Sequence, residues 1–185
     1  MGGLSLAELG ILDWIAAHLH TGWLDVLMPA VTRLGNAGVV WIVLGLVLLL
    51  FVRKRRAVGA QLLLALLLSL LLCNLCLKEA VGRIRPFDLK GLIELLIEAP
   101  TDPSFPSGHT SASFAAAGVF LLTRTPGRWV VLGLACAIAF SRLYLYVHFP
   151  TDVLGGVVVG LICAVLATQL WRRWLSRHRP FRYPI

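Results

Sequence analysis

Residues 53–78 read Arg-Lys-Arg-Arg-Ala-Val-Gly-Ala-Gln-Leu-Leu-Leu-Ala-Leu-Leu-Leu-Ser-Leu-Leu-Leu-Cys-Asn-Leu-Cys-Leu-Lys. Between the basic tetrad and Lys78 lies an apolar run, 57–77, of the roughly 20 residues that a helix needs to cross bilayer hydrocarbon. Backbone polar groups in hydrocarbon must be satisfied within the segment, so such a run is a helix. The rest of the 185 residues agrees, being 58% hydrophobic and 14% charged, with mean hydropathy +0.84. That balance excludes a soluble globular domain. The chain is expected to be all-α, a polytopic transmembrane helix bundle.

Working outward, Ala37–Val52 is a span ending at the basic tetrad, and Ala57–Leu77 returns to end at Lys78. His109–Leu122, Arg128–Val147 and Thr151–Trp171 make three more, giving five expected spans. Residues 1–36 form an interfacial or re-entrant helical segment, because Glu8, Asp13, His18 and His20 interrupt its apolar residues, which begin at Leu4, and Pro29 sits inside Trp23–Leu34. The same acids, and the lack of a basic start, argue against a signal peptide. Residues 37–171 are the transmembrane domain, with a polar loop over 79–106 in which Leu89–Ile97 is expected as a short surface helix; 172–185 is a basic tail.

The net charge of +8 is a topological signal rather than a nucleic-acid footprint, and no nucleic-acid partner is expected. Arg53, Lys54, Arg55 and Arg56, then Arg124 and Arg128, then Arg172, Arg173, Arg177, Arg179 and Arg182 mark the cytoplasmic side by the positive-inside rule. The 79–106 loop, Lys78, His109, His148 and Asp152 then all fall on the extracytoplasmic side. Nothing in the charge count used those residues, so their meeting on one face is independent support for a site there.

Ser141-Arg142-Leu143-Tyr144-Leu145-Tyr146-Val147-His148-Phe149-Pro150-Thr151-Asp152 joins two apolar runs. Ionisable side chains at membrane depth are expensive, and are functional candidates for that reason. Pro150 suits the first position of a helix, which puts Asp152 in its first turn, close enough to orient the His148 imidazole and free its other nitrogen for attack. The competing reading is a snorkelling arginine, a loop histidine and a capping aspartate. Two further segments decide between them: Lys78-Glu79-Ala80-Val81-Gly82-Arg83-Ile84-Arg85-Pro86 and Pro106-Ser107-Gly108-His109.

In order, the three segments resemble the signature of the type 2 phosphatidic acid phosphatase superfamily: Lys-x6-Arg-Pro, Pro-Ser-Gly-His and Ser-Arg-x5-His-x3-Asp. The resemblance implies a lipid phosphatase in which His148 is the nucleophile, forming a phosphohistidine, Asp152 orients it, and His109 is the general acid. It implies no metal and no other cofactor. Lys78, Arg85, Ser107, Gly108 and Arg142 would bind phosphate. Physical chemistry agrees, since phosphoryl transfer needs fixed positive donors around the equatorial oxygens. Arginine forks, a lysine point charge and the amides of Ser107 and Gly108 at a helix N-terminus supply them.

The substrate is expected to be a phosphorylated lipid: undecaprenyl diphosphate, phosphatidylglycerol phosphate or phosphatidic acid. The intact motifs favour a general lipid phosphate phosphatase over a dedicated undecaprenyl-diphosphate enzyme. A bacterial inner or plasma membrane is the expected location. The alternatives are a protein that binds or moves phospholipid without cleaving it, and a vanadate-type haloperoxidase. A metal held by His109, His148 and Asp152 is disfavoured by the crowd of cations. Arg83 and Glu79 fit no motif position and read as flanking charges near headgroups. His18 and His20 read as interfacial. Trp23, Trp41, Trp129, Trp171 and Trp174 read as an aromatic belt, Cys73 and Cys76 as small packing residues, and Gly155, Gly156 and Gly160 as a close helix contact.

Overall fold

The computed structural model describes residues 3–91 and 93–178; Arg179 and Arg182 of the basic tail, and the side chain of Leu4, lie outside them. Every regular element among the described residues is helical. The helices are α1 (Gly3–Leu19), α2 (Gly22–Leu34), α3 (Val39–Leu50), α4 (Arg56–Ser69), α5 (Lys78–Val81), α6 (Pro86–Lys90), α7 (Gly108–Leu122), α8 (Arg128–Tyr144) and α9 (Pro150–His178). A π-helical stretch, Leu70–Leu77, joins α4 to α5. π-helical turns recur at functional sites, and this eight-residue stretch leads directly into Lys78.

Two stretches, Arg53–Lys90 and Pro150–Arg177, are long and apolar enough to cross a membrane. A third is available if α2 and the Asn36–Leu50 helix, bent by 45° at Gly35, make one broken span. The helix Gly108–Leu122 is apolar but short.

The core is built on α7 and α9. Ala115, Ala116, Ala117 and Val119 of α7 and Cys163, Ala164 and Ala167 of α9 are buried together with Leu62, Ala65 and Leu66 of α4. Small residues let the backbones approach in the absence of a strong hydrophobic drive between helices. A methyl group at Gly160 would lie 2.4 Å from the Ser111 carbonyl oxygen and 2.8 Å from the Ala115 nitrogen; one at Gly156 would lie 2.7 Å from the Ser107 carbonyl oxygen. This contact sets the start of α7 beside the start of α9. Gly160→Val is therefore expected to lower the thermal midpoint in detergent sharply, because overpacking costs about 1–3 kcal/mol or more; a midpoint within a degree of wild type would contradict it.

Helix directions sort the charges. Arg55 Nη1 donates to the Pro126 carbonyl at 3.4 Å, which sets the basic tetrad beside the Arg124–Arg128 turn. From that end α4 and α8 run toward Lys78 and His148, while α7 and α9 run back from His109 and Asp152. The basic end of α9, with Arg172, Arg173 and Arg177, is thus opposite the histidines.

Three expectations change. The helix expected over Leu89–Ile97 is instead the five-residue α6, begun by Pro86 and stopped at Gly91, whose φ of 58° is left-handed. Leu89 of α6, with Ile93 and Leu95 of the following loop, packs against Leu12, Tyr146 and Phe149, and Leu95 and Ile97 pack against the cluster of Ile15, Met28, Tyr144, Leu145 and Val147. Trp41 is not in an interfacial belt: it is 1% exposed and its indole donates to Ser113 Oγ at 3.0 Å. Of the cysteine pair, Cys73 is buried and Cys76 exposed, and both are free thiols.

Candidate active site

The site sits where α4–α5, α7 and the α8–α9 turn come together. α8 ends at Tyr144, and the chain turns through Tyr146, held at φ 59°. A non-glycine residue there is uncommon and costs strain. Tyr146 is tied down by its hydroxyl, which donates to Asp13 Oδ1 at 2.8 Å. The turn presents His148, and α9 starts at Pro150. Asp152 Oδ2 reaches back to accept the Phe149 N–H at 2.8 Å, the carboxylate half of a capping box. Capping and proximity to the histidine, set against each other as alternatives in the sequence, meet in one side chain.

Lys78, Arg85, Gly108, His109, Arg142 and His148 all line one cavity of about 1060 Å³. Asp152 and Ser107, each 0% exposed, stand behind the wall. His148 is 2% exposed. Its Nδ1 lies 3.6 Å from Asp152 Oδ2, an electrostatic contact longer than a hydrogen bond, and 3.5 Å from Ser104 Oγ. Ser104 donates to the same Asp152 oxygen at 2.5 Å, so it bridges ring and carboxylate. On the far side, His148 Nε2 is 3.4 Å from Arg85 Nη1. A proton on Nδ1, facing the acid, leaves the Nε2 lone pair directed at the cations and the cavity. Burial pushes the His148 pKa down to about 3; Asp152 pulls it back up, while Arg142 and Arg85 push it further down. The ring is neutral at neutral pH.

The cations are held by specific acceptors. Arg85 donates from Nη1 to the Val147 carbonyl at 2.7 Å, from Nε to the Asp102 carbonyl at 2.8 Å, and from Nη2 to Asp102 Oδ1 at 2.8 Å. Lys78 is buried rather than snorkelling and donates to Asp102 Oδ2. Burial would raise the Asp102 carboxyl, but Lys78 and Arg85 outweigh it and hold its pKa at about 2. Arg142 donates from Nη1 to Thr32 Oγ1 at 2.6 Å, and its buried Nε has no partner among the described residues. A charged donor left unsatisfied inside a structure is costly, and here it belongs to a residue on the cavity wall.

His109 Nε2 is 2.9 Å from Asn36 Oδ1; a carbonyl oxygen only accepts, so Nε2 carries the proton. Ser107 departs from expectation. Its amide donates to the Asp152 carbonyl at 3.0 Å and its hydroxyl oxygen caps α7, accepting from Thr110 N at 3.5 Å and Thr110 Oγ1 at 3.0 Å. The amides that the first turn of α7 offers an anion are therefore those of Gly108 and His109, which have no intrahelical acceptor.

Sequence reasoning missed five residues around this site. Asn36, Thr32, Asp102 and Ser104 lie outside every motif. Arg83, read as a headgroup-facing charge, instead donates to Asp152 Oδ1 at 2.6 Å. Only Asp102 and Ser104 carried a signal, as polar residues in the proline-rich run that ends in Pro106. Of the other doubtful residues, His18 donates to the Trp14 carbonyl, and His20 stacks on Tyr144 with ring centroids 4.3 Å apart.

Residues 58–180 match the PAP2 superfamily. The chain is 33% identical over 149 residues to an undecaprenyl-diphosphatase of Sulfolobus acidocaldarius, an alignment covering 80% of this chain and 70% of that one. The crystal structure of Aquifex aeolicus LpxE superposes with a TM-score of 0.76 at 30% identity, covering 87% of this chain and 94% of the other. A PAP2-type phosphatidylglycerolphosphate phosphatase from Bacillus subtilis superposes at 0.74 with 28% identity, covering 98% of this chain and 90% of that one.

Proposed function

The chain belongs to the PAP2 superfamily and is a membrane lipid phosphatase, and from that premise we propose that it removes the terminal phosphate of lipid mono- and diphosphates through a phosphohistidine at His148. The His148 Nε2 lone pair attacks phosphorus as the bond to the leaving oxygen breaks. His109, in its imidazolium form, gives one ring proton to that oxygen and is left neutral. Water then attacks the phosphorus, the P–N bond breaks, and His109 takes the water's proton. Lys78, Arg85 and Arg142, with the amides of Gly108 and His109, hold the equatorial oxygens as charge develops on them. Asp102 is the internal anion that an incoming phosphate displaces from Lys78 and Arg85.

The observation that carries this reading is the pairing of a neutral, carboxylate-backed histidine with a buried, partly unsatisfied arginine on the wall of one cavity. A protein that only bound phosphate has no use for the first. The same cavity is walled by Ile42, Leu63, Leu66, Leu67 and Leu70, an apolar side suited to an acyl or prenyl chain. Its volume is at the upper end for small-molecule sites, which supports a broad headgroup range.

We read α7 and α8 as crossing the membrane beside the longer stretches, for five spans in all. The Arg53–Arg56 and Arg124–Arg128 turns and the tail are then cytoplasmic, and the histidines and the 79–106 loop extracytoplasmic, in a bacterial inner or plasma membrane. α1, with Leu6, Ile11 and Trp14 exposed, lies in the outer interface. The test is phosphate release by the purified protein from polyprenyl diphosphate, phosphatidylglycerol phosphate and phosphatidic acid. Turnover of all three within about tenfold of one another, a difference of about 1.4 kcal/mol, is expected; discrimination beyond about 10³-fold contradicts the broad range, and no release from any of them contradicts catalysis.

A further inference from the structure

Asp152 is held from three directions. Oδ2 accepts from Ser104 and from the Phe149 amide, while Oδ1 accepts from Arg83 Nη1 at 2.6 Å. Arg83 does not line the catalytic cavity. Its Nη1 also donates to Thr151 Oγ1 at 2.6 Å, its Nη2 to Glu8 Oε2 at 2.6 Å, and its guanidinium lies 4.1 Å from the centre of the Phe149 ring. Glu8 comes from α1, far off in sequence, yet it is 3% exposed. Its other oxygen, Oε1, accepts the Thr151 amide at 2.8 Å and the Thr151 hydroxyl at 2.6 Å.

A carboxylate on a membrane-associated helix is costly to bury without a partner. Glu8 is buried because it completes a chain of charge: Glu8 negative, Arg83 positive, Asp152 negative, then the imidazole. We propose that Glu8 and Arg83 form a strut from the N-terminal helix that fixes the Asp152 carboxylate, which makes Arg83 a positioning residue for phosphoryl transfer and α1 a working part of the active site. Arg83 acts through Asp152, because neither its nitrogens nor those of Glu8's partners reach the cavity that holds the substrate phosphate. The analogous partners behind metal-bound histidines change activity by about 10- to 100-fold, and a loss on that scale is expected here.

This inference rests on His148 being the nucleophile, and the experiment separates the two. With the full-length protein in detergent and a polyprenyl diphosphate as probe, kcat, KM and the inhibition constant of inorganic phosphate are measured for Arg83→Ala, Arg83→Lys, Glu8→Gln and Asp152→Asn. The Arg83→Ala/Asp152→Asn double variant is measured with them. Arg83→Ala should lower kcat about 10- to 100-fold, with KM and phosphate inhibition within about twofold. Glu8→Gln should give a smaller loss in kcat alone, and Arg83→Lys should recover part of the Arg83→Ala loss. In the Asp152→Asn background Arg83→Ala should cost nothing further, since residues acting through one contact are not additive. A wild-type kcat in both Arg83→Ala and Glu8→Gln overturns the strut. So does a loss confined to KM, which would put Arg83 on the substrate, or an undiminished loss in the Asp152→Asn background. Should Arg83→Ala fail to fold, the isosteric Glu8→Gln carries the same test. If His148→Ala is itself active, the nucleophile reading has failed; if His148→Ala is inert while Arg83→Ala and Glu8→Gln match wild type, only the strut has.

Discussion

His148→Ala yields a folded, membrane-inserted protein whose phosphate release is at least about 10³-fold below wild type, the scale of loss seen when a covalent nucleophile is removed. The fold survives because little depends on the ring. Asp152 keeps its hydrogen bonds to Ser104, Phe149 and Arg83, and Arg85 keeps the Val147 carbonyl and Asp102. No buried charge loses its partner, so the change creates a cavity without an orphan. Chemistry is expected to suffer far more, since among the described residues on the wall only His148 sits between the Asp152 carboxylate and the Arg85 guanidinium. Normal turnover in this variant, with the thermal midpoint unchanged, is the outcome that removes His148 from the reaction.

Arg142→Met is expected to have two effects of opposite sign. Activity should fall about 10²- to 10³-fold, the usual loss when one preorganised donor to a transition-state oxyanion goes. The thermal midpoint should rise. Arg142 is 3% exposed, takes one hydrogen bond from its guanidinium to Thr32, leaves Nε unsatisfied, and forms no ion pair with a described carboxylate. It also shares the cavity wall with Lys78 and Arg85, so like charges face one another. Exchanging buried charge for an apolar side chain of similar reach is often stabilising by about 1–4 kcal/mol, and sites strained for function are where such gains are found. Enzyme assay and a melting curve in detergent read both effects from one preparation. A lower midpoint with activity intact would show that Arg142 is structural.

The convergence of the candidate site residues was readable because three short segments carry them: Lys78 and Arg85, then His109, then Arg142, His148 and Asp152. The structure brings the first five to one cavity wall with Asp152 buried behind it. A close helix contact was readable in Gly155, Gly156 and Gly160 but its partner was not: Gly156 and Gly160 meet α7, whereas Gly155 meets the Phe105 ring. What could not be read depended on direction and distance. Arg83 and Arg85 are two apart in an irregular segment, and only the turn after Gly82 decides which of them faces the cavity and which faces Asp152. Asn36, Thr32 and Glu8 reach the site from the N-terminal helices, whose packing no local pattern announces. Glu8 and Asp13 look like faults in an apolar helix until Arg83 and Tyr146 are seen beside them. Leu89–Ile97 has helical composition, but Gly91 in the left-handed region breaks the segment, and Leu89, Ile93, Leu95 and Ile97 pack against the buried clusters around the 145–149 turn. Span lengths were blurred for a related reason: bends at Gly35 and the π stretch at Leu70–Leu77 make hydropathy runs and helices end in different places.

Every role proposed for the site depends on a covalent bond between phosphorus and His148. Rapid quenching of the enzyme with polyprenyl diphosphate labelled in its terminal phosphate, followed by peptide mapping, tests that bond directly. The prediction is a label that is stable in alkali and labile in acid, confined to the peptide containing His148 and absent from His148→Ala. A label on another residue, or turnover with no protein-bound phosphate at any quench time, contradicts it.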